Sequence, residues 1–182
     1  QQVALPGAIA AAELECGNLR LAGQLAGRAA AAAQRLGAEQ HFVASDVERT
    51  LGAVEAEAGD MTSAERHLEA ALDIAALGRP PFALLSLVEL ARVAARRGDL
   101  DEAFHRLDRA RAFLPPGIDS PLVLRADALE VRIRAAAGLE VTADLRARLP
   151  PDEMTQYERA ARFDFSWQGL ARYWRKKQGA ER

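Results

Sequence analysis

The chain has 182 residues, 49% of them hydrophobic but only 5% aromatic, and a net charge of -2. That length suits one sizeable domain or one array of repeats with a substantial apolar interior, and the near-neutral balance gives whole-chain electrostatics no reason to attract nucleic acid. A single cysteine, Cys16, excludes an internal disulfide and argues against structural zinc, and the apolar stretches are broken by charges well short of the roughly 18 residues a membrane span needs.

Alanine is the commonest residue, and it both favours helix and lets helices approach closely. The chain is therefore expected to be all-α. Basic charge is almost entirely arginine, Lys176 and Lys177 being the only lysines, a usage expected of a GC-rich bacterial genome. One unpaired cysteine suits a reducing cytoplasm. The opening "QQVALPGAIAAAEL" has no basic n-region and no initial Met, so the chain is expected to be a piece excised from a longer multidomain protein.

Apolar periodicity and turn residues predict ten helices in chain order, near 3–16, 19–36, 40–58, 61–77, 81–97, 100–113, 121–137, 140–148, 152–162 and 166–178. A repeat runs through the first eight. Glycines 17, 59, 98 and 138 follow Ala-rich segments and are separated by 42, 39 and 40 residues. Five residues after each comes an alanine: Ala22, Ala64, Ala103 and Ala143. Nine residues on stand Ala26, Leu68, Leu107 and Ala147, and twelve on, in the first three repeats, Ala29, Ala71 and Ala110.

A helical hairpin explains this grammar. Glycine sits just past a helix end, where a left-handed backbone is cheapest without a β-carbon. The next helix then begins, in the third repeat on Asp99 with Glu102 three residues later as a capping pair. Positions five, nine and twelve fall on one face of that helix. A lone hairpin leaves the face uncovered, so the hairpins should stack into a solenoid. Pro80-Pro81, Ser120-Pro121 and Pro150-Pro151 fall between repeats, where a proline in a first turn costs no hydrogen bond. The last helix carries Trp167, Leu170 and Trp174 on one stripe after Ser166 as N-cap. Residues 151–182 are expected to cap the solenoid, the alternative being that Trp167 and Trp174 form an interface.

The third repeat closely resembles the tetratricopeptide repeat, through Gly98, Ala103, Leu107, Ala110 and Pro115 with Leu87, Leu90 and Ala91 in the helix before. The second keeps Leu51-Gly52, Gly59, Ala64, Leu68 and Ala71 but has Ala76 in place of the proline. The first and fourth are weaker, and Pro150 stands where an alanine belongs, so the fourth repeat's second helix should be short. The resemblance implies a right-handed superhelix of stacked antiparallel hairpins. Its period departs from the usual spacing of about 34 residues, and the longer repeat, with "LARVAARRGDLDEAFHRLDRARAFLPPG", is similar to the sensor superhelix of MalT-like large LuxR-type bacterial transcriptional regulators.

That second resemblance implies a sensing or coupling segment between an ATPase module and a DNA-binding helix-turn-helix. The chain itself has no G-x-x-x-x-G-K-[ST] phosphate loop and no basic recognition helix beyond "RYWRKKQ". Similar superhelices also accompany some bacterial serine/threonine kinases, and an autonomous scaffold or adaptor is the other reading. The expected partners are a protein, a peptide or a small effector in the concave groove, together with neighbouring domains of the same chain. Direct nucleic-acid or membrane contact by this segment is not expected.

Catalytic grammar is missing, so no enzyme activity, cofactor or metal is expected. His41, His67 and His105 have no metal-ligand spacing and read as solvated helix positions, and Cys16 reads as a small buried hydrophobe rather than a nucleophile. The family resemblance places the first helix of each hairpin along the concave groove, which puts Arg49, Arg92, Arg96, Arg125 and Arg132 on that surface. Guanidinium forks suit carboxylates and phosphates. The competing reading is that arginine is simply the common exposed residue of this composition.

Overall fold

The computed structural model describes residues 2–76, 80–113 and 121–149. Eight helices and no strand occur among them: α1 (Ala4–Glu15), α2 (Leu19–Leu36), α3 (Val43–Ala58), α4 (Met61–Ala76), α5 (Pro80–Arg97), α6 (Leu100–Ala112), α7 (Pro121–Ala136) and α8 (Ala143–Ala147). They match the first eight expected helices to within a few residues. The expected helices at 152–162 and 166–178, the tryptophan stripe, Pro115 and Pro150 lie outside the described residues.

Consecutive helices pair as antiparallel hairpins. Gly17, Gly59, Gly98 and Gly138 all have positive φ, between 70° and 91°, and the residue after each closes the helix with a bond back to the carbonyl five residues earlier: Asn18 to Glu13, Asp60 to Glu55, Asp99 to Ala94 and Leu139 to Arg134. This is the Schellman closure, and it satisfies carbonyls that a helix end leaves orphaned. Three of the second helices start on side-chain caps. Asp60 accepts from the Ser63 amide at 3.0 Å, Asp99 from Glu102 at 3.1 Å and Thr142 from Leu145 at 3.3 Å.

The alanine grammar becomes the packing seam in three repeats. Ala22, Ala26 and Ala29 of α2, Ala64, Leu68 and Ala71 of α4, and Ala103, Leu107 and Ala110 of α6 are all wholly buried. The fourth repeat departs from it: Ala143 and Ala147 are exposed, and Val141, Leu145 and Leu149 instead pack on Ala128 and Val131 of α7. With only five residues, α8 is too short to lay an alanine face along its partner.

One apolar core runs from Ala56 and Leu68 through Leu84, Leu87, Leu90 and Leu107 to Leu129 and Ile133, linking α3 to α7 without interruption. Each fully buried leucine there contributes about 2–3 kcal/mol of transfer free energy. Every helix from α1 to α7 packs on the next, and the odd-numbered helices also contact one another in turn, α1 to α3, α3 to α5 and α5 to α7. Crowding on the odd side bends the stack, so the first helices of the hairpins form its inner face.

Candidate functional site

The five predicted arginines lie on α3, α5 and α7, and the structure separates them by depth. Arg49, Arg92 and Arg132 are buried, at 4%, 3% and 3% exposure. Arg96 is half-buried and Arg125 is the most open, with side-chain exposures of 21% and 39%.

Arg92 is the hub. From α5 it donates to Glu89 one turn back, through Nε at 3.0 Å and NH2 at 2.6 Å, and through NH1 to Glu57 of α3. Both carboxylates are 4% exposed. Arg96 reaches the same Glu57 oxygen at 3.3 Å, so Arg92 and Arg96 form one ion cluster tying α3 to α5. The buried part of that cluster, Arg92 with Glu57 and Glu89, is held by mutual neutralisation, since either charge sign alone would be costly to desolvate. Arg49 pairs with Asp46 on its own helix at 3.2 Å. Arg125 makes a bidentate pair with Glu15, at 2.8 and 3.0 Å. That pair joins α7 to the end of α1, across 110 residues of sequence, and shows how tightly the inner face curls.

A second cluster lies between α6, α7 and α8. Arg111 donates to Asp127 through Nε at 2.9 Å and also to Glu130, Arg134 donates to Glu130 at 2.7 Å, and Arg148 stands 3.3 Å from Asp127. Asp127 is only 1% exposed. Burial works against the charge of Glu130, but its bonds to Arg134 and Arg111 outweigh it and hold the carboxyl below its ordinary range. A carboxyl lowered by folding contributes stability that is present above its unfolded pKa of about 4.3 and is lost as pH falls through the lower folded value. Acid unfolding followed by circular dichroism is therefore expected to begin below that pH. Glu130→Gln should flatten this part of the curve while lowering stability at pH 7; an unchanged curve would remove Glu130 from the account.

Two residues sit differently from the sequence expectation. His67 is not a freely solvated helix position: its side chain is 16% exposed, Nδ1 lies 2.6 Å from Glu48 and Nε2 lies 3.3 Å from Glu55. It is wedged between α4 and α3, where the two carboxylates of α3 face it. Burial is the main reason that the carboxyl of Glu55 is raised, with His67 and Arg66 opposing the shift. His41 and His105 are exposed as expected.

Cys16 is exposed, not buried. It caps the end of α1 immediately before the positive-φ turn at Gly17. A thiol reagent is expected to label Cys16 in the native chain at a rate within about tenfold of the denatured chain; protection far beyond that would contradict the exposed position. The sequence held no signal for this, because Leu14 two residues earlier is buried and a turn decides which side the next residues take.

Among the described residues no group of three His, Cys, Asp or Glu side chains is placed to hold a metal ion, and no helix is long and apolar enough to cross a membrane. An open depression of about 570 Å³ lies at the α1–α2 turn, lined by Gly17, Asn18, Leu19, Arg20 and Leu21. None of the five predicted arginines lines it. Arg49, Arg92, Arg96 and Arg125 are all ion-paired with carboxylates.

Comparison with known proteins agrees with that architecture. Residues 43–115, the span of the α3–α4 and α5–α6 hairpins, match the family model of the tetratricopeptide repeat. No curated protein and no solved structure gives a significant match. The chain is built on the fold of a tetratricopeptide-like helical repeat, a class that generally mediates protein–protein interaction.

Proposed function

We propose that the chain is a non-enzymatic sensing and protein-interaction segment of a larger bacterial transcriptional regulator of the MalT-like LuxR type, and that it takes its partner or effector on the inner face of the solenoid. The match of residues 43–115 to the tetratricopeptide repeat carries the interaction role. The longer period, near 40 residues, supports the regulator reading.

On the inner face, Arg96 and Arg125 are the accessible cations. Each already has a carboxylate partner, Glu57 or Glu15, so an acidic ligand binds by exchanging for that carboxylate. Arg92 works from beneath, joining α3 to α5 through Glu57 and Glu89, and Arg132 lies buried on α7.

Isothermal titration with acidic peptides, nucleotides and sugars tests the reading, preceded by a thermal-shift screen in which a ligand at 100 times its Kd adds about 2.7 kcal/mol. Binding to a ligand found this way is expected to weaken at least about tenfold in Arg96→Ala and Arg125→Ala, through loss of charge-assisted hydrogen bonds, with unfolding midpoints almost unchanged. Unchanged affinity in both variants would move the site off the inner face. The regulator context is tested by the flanking gene sequence: a P-loop module upstream and a helix-turn-helix downstream are expected. A kinase domain would identify a kinase regulatory segment instead, and neither module would identify an autonomous adaptor.

A further inference from the structure

Apolar residues occur all round α1, apart from its last turn, and a helix of that kind is stable when neighbours cover every side. One side is covered: Gly7 faces Val47, Ala10 lies in the core between α2 and α3, and Leu14 packs on Ala22 and Ala53. The other side is open. Leu5 is 64% exposed and Ile9 42%, with Ala8 and Ala12 exposed beside them.

Aligning the repeats on their turn glycines shows what those positions do elsewhere. Leu5 is equivalent to Val47, Ser86 and Ala126, all 0% exposed. Ile9 corresponds to Leu51, which is half-buried, and to Leu90 and Glu130, at 0% and 8%. Ala12 corresponds to half-buried Val54 and to Val93 and Ile133, both at 1%.

In α3 this stripe is what meets the preceding hairpin. Val47 packs in one cluster with Ala26, Ala29 and Ala33 of α2, with Leu51 against it, and Val54 approaches within 3.3 Å of where a Cβ on Gly23 would stand. Leu90 and Val93 of α5, and Ala126 and Ile133 of α7, join the shared core at the equivalent positions. The stripe position thus packs inwards in all three later hairpins, although the residue types vary: Ser86 and Ala126 are small, Glu130 is charged, and Leu68 and Leu107 stand on the earlier helices. In α1 the same positions are apolar and stay exposed among the described residues.

We propose that Leu5, Ala8, Ile9 and Ala12 form the docking surface for a further helical hairpin of this repeat type, carried ahead of α1 in the same polypeptide. Its second helix presents small residues at the five, nine and twelve spacing, as α2 does with Ala22, Ala26 and Ala29. The stripe contains no ionisable residue, so the occupant is recognised by shape and apolar area. The equivalent stripe of α3 meets the second helix of the preceding hairpin, whereas a second copy would offer another α1 stripe in its place.

The test compares residues 1–182 with a longer chain that includes the residues encoded ahead of Gln1, about forty to supply one repeat. The readout is amide hydrogen exchange of α1. In the longer chain that exchange is expected to slow by at least about tenfold. Leu5→Gln and Ile9→Gln, nearly silent in residues 1–182, should cancel the slowing.

A companion chain places a copy of residues 43–81 ahead of Gln1, preserving the register that joins α4 to α5, and should protect α1 likewise. Unaltered exchange in the natural extension overturns the proposal, as does a companion chain that folds and leaves α1 unprotected. Sedimentation of residues 1–182 as a dimer that Leu5→Gln disperses also overturns it, by showing that a second copy covers the stripe.

Discussion

Replacing Arg92 with methionine is expected to lower the unfolding free energy by up to about 3–5 kcal/mol, because it removes the guanidinium that bridges two buried carboxylates. Glu57 and Glu89 are each 4% exposed, and Arg92 bridges them. Arg96 touches only Glu57, at 3.3 Å, so Glu89 loses the cation that meets it at 2.6 Å. Urea denaturation followed by far-ultraviolet circular dichroism measures the loss. Adding Glu57→Gln and Glu89→Gln should restore most of it, since the cost lies in uncompensated charge and not in missing volume. Arg125→Met provides the contrast. Its pair with Glu15 is more than a third exposed on both sides, where an ion pair contributes at most about 1 kcal/mol. Equal losses from the two substitutions would show that depth does not set the strength of these pairs.

Gly52→Ala is expected to destabilise the protein by about 1–3 kcal/mol despite the better helix propensity of alanine, because it overpacks the α3–α4 crossing. A β-carbon on Gly52 would lie 2.6 Å from Leu68 Cγ and 2.8 Å from the Ala64 carbonyl oxygen. Leu68 is wholly buried and cannot swing aside, and the oxygen belongs to the backbone of α4. The helices must therefore separate. Gly27→Ala, inside α2 with nothing within 4 Å of its added carbon, should instead stabilise by up to about 1 kcal/mol. Thermal and urea unfolding of the two variants should move in opposite directions; a gain in both would mean that α3 and α4 are less closely packed than this crossing requires.

The fold was largely legible because its determinants are local and repeated. Gly17, Gly59, Gly98 and Gly138 announce helix ends through their own backbone freedom, Asp99 announces a start through its own side chain, and Ala103, Leu107 and Ala110 share a face by helical geometry alone. The fourth repeat was legible in its brevity but not in its packing face. Once α8 shrinks to five residues, contact is governed by what α7 offers, and Val141, Leu145 and Leu149 take over from the alanines.

The inner face was legible only as a direction. Periodicity shows that Arg92 and Arg96 point towards the same side of α5, but not that Glu57, thirty-five residues before Arg92, meets both. A charged residue in a sequence looks solvated until a carboxylate from another helix is placed beside it, as happens with Arg92 here and with His67 between Glu48 and Glu55. The reverse holds for α1: Leu5 and Ile9 look like core residues and stand in solvent.

The sequence by itself determined the all-helical class, the forty-residue hairpin unit, its turn glycines and the alanine seam of the first three hairpins, because these depend on propensity, capping and spacing along a single stretch of chain. Tertiary structure alone decided which charges are buried, that Arg125 reaches Glu15 across 110 residues, that Cys16 is open, and that an apolar stripe of α1 is left uncovered. Those depend on the curvature of the stack, the sum of many small rotations between hairpins, and no local run of residues encodes that sum.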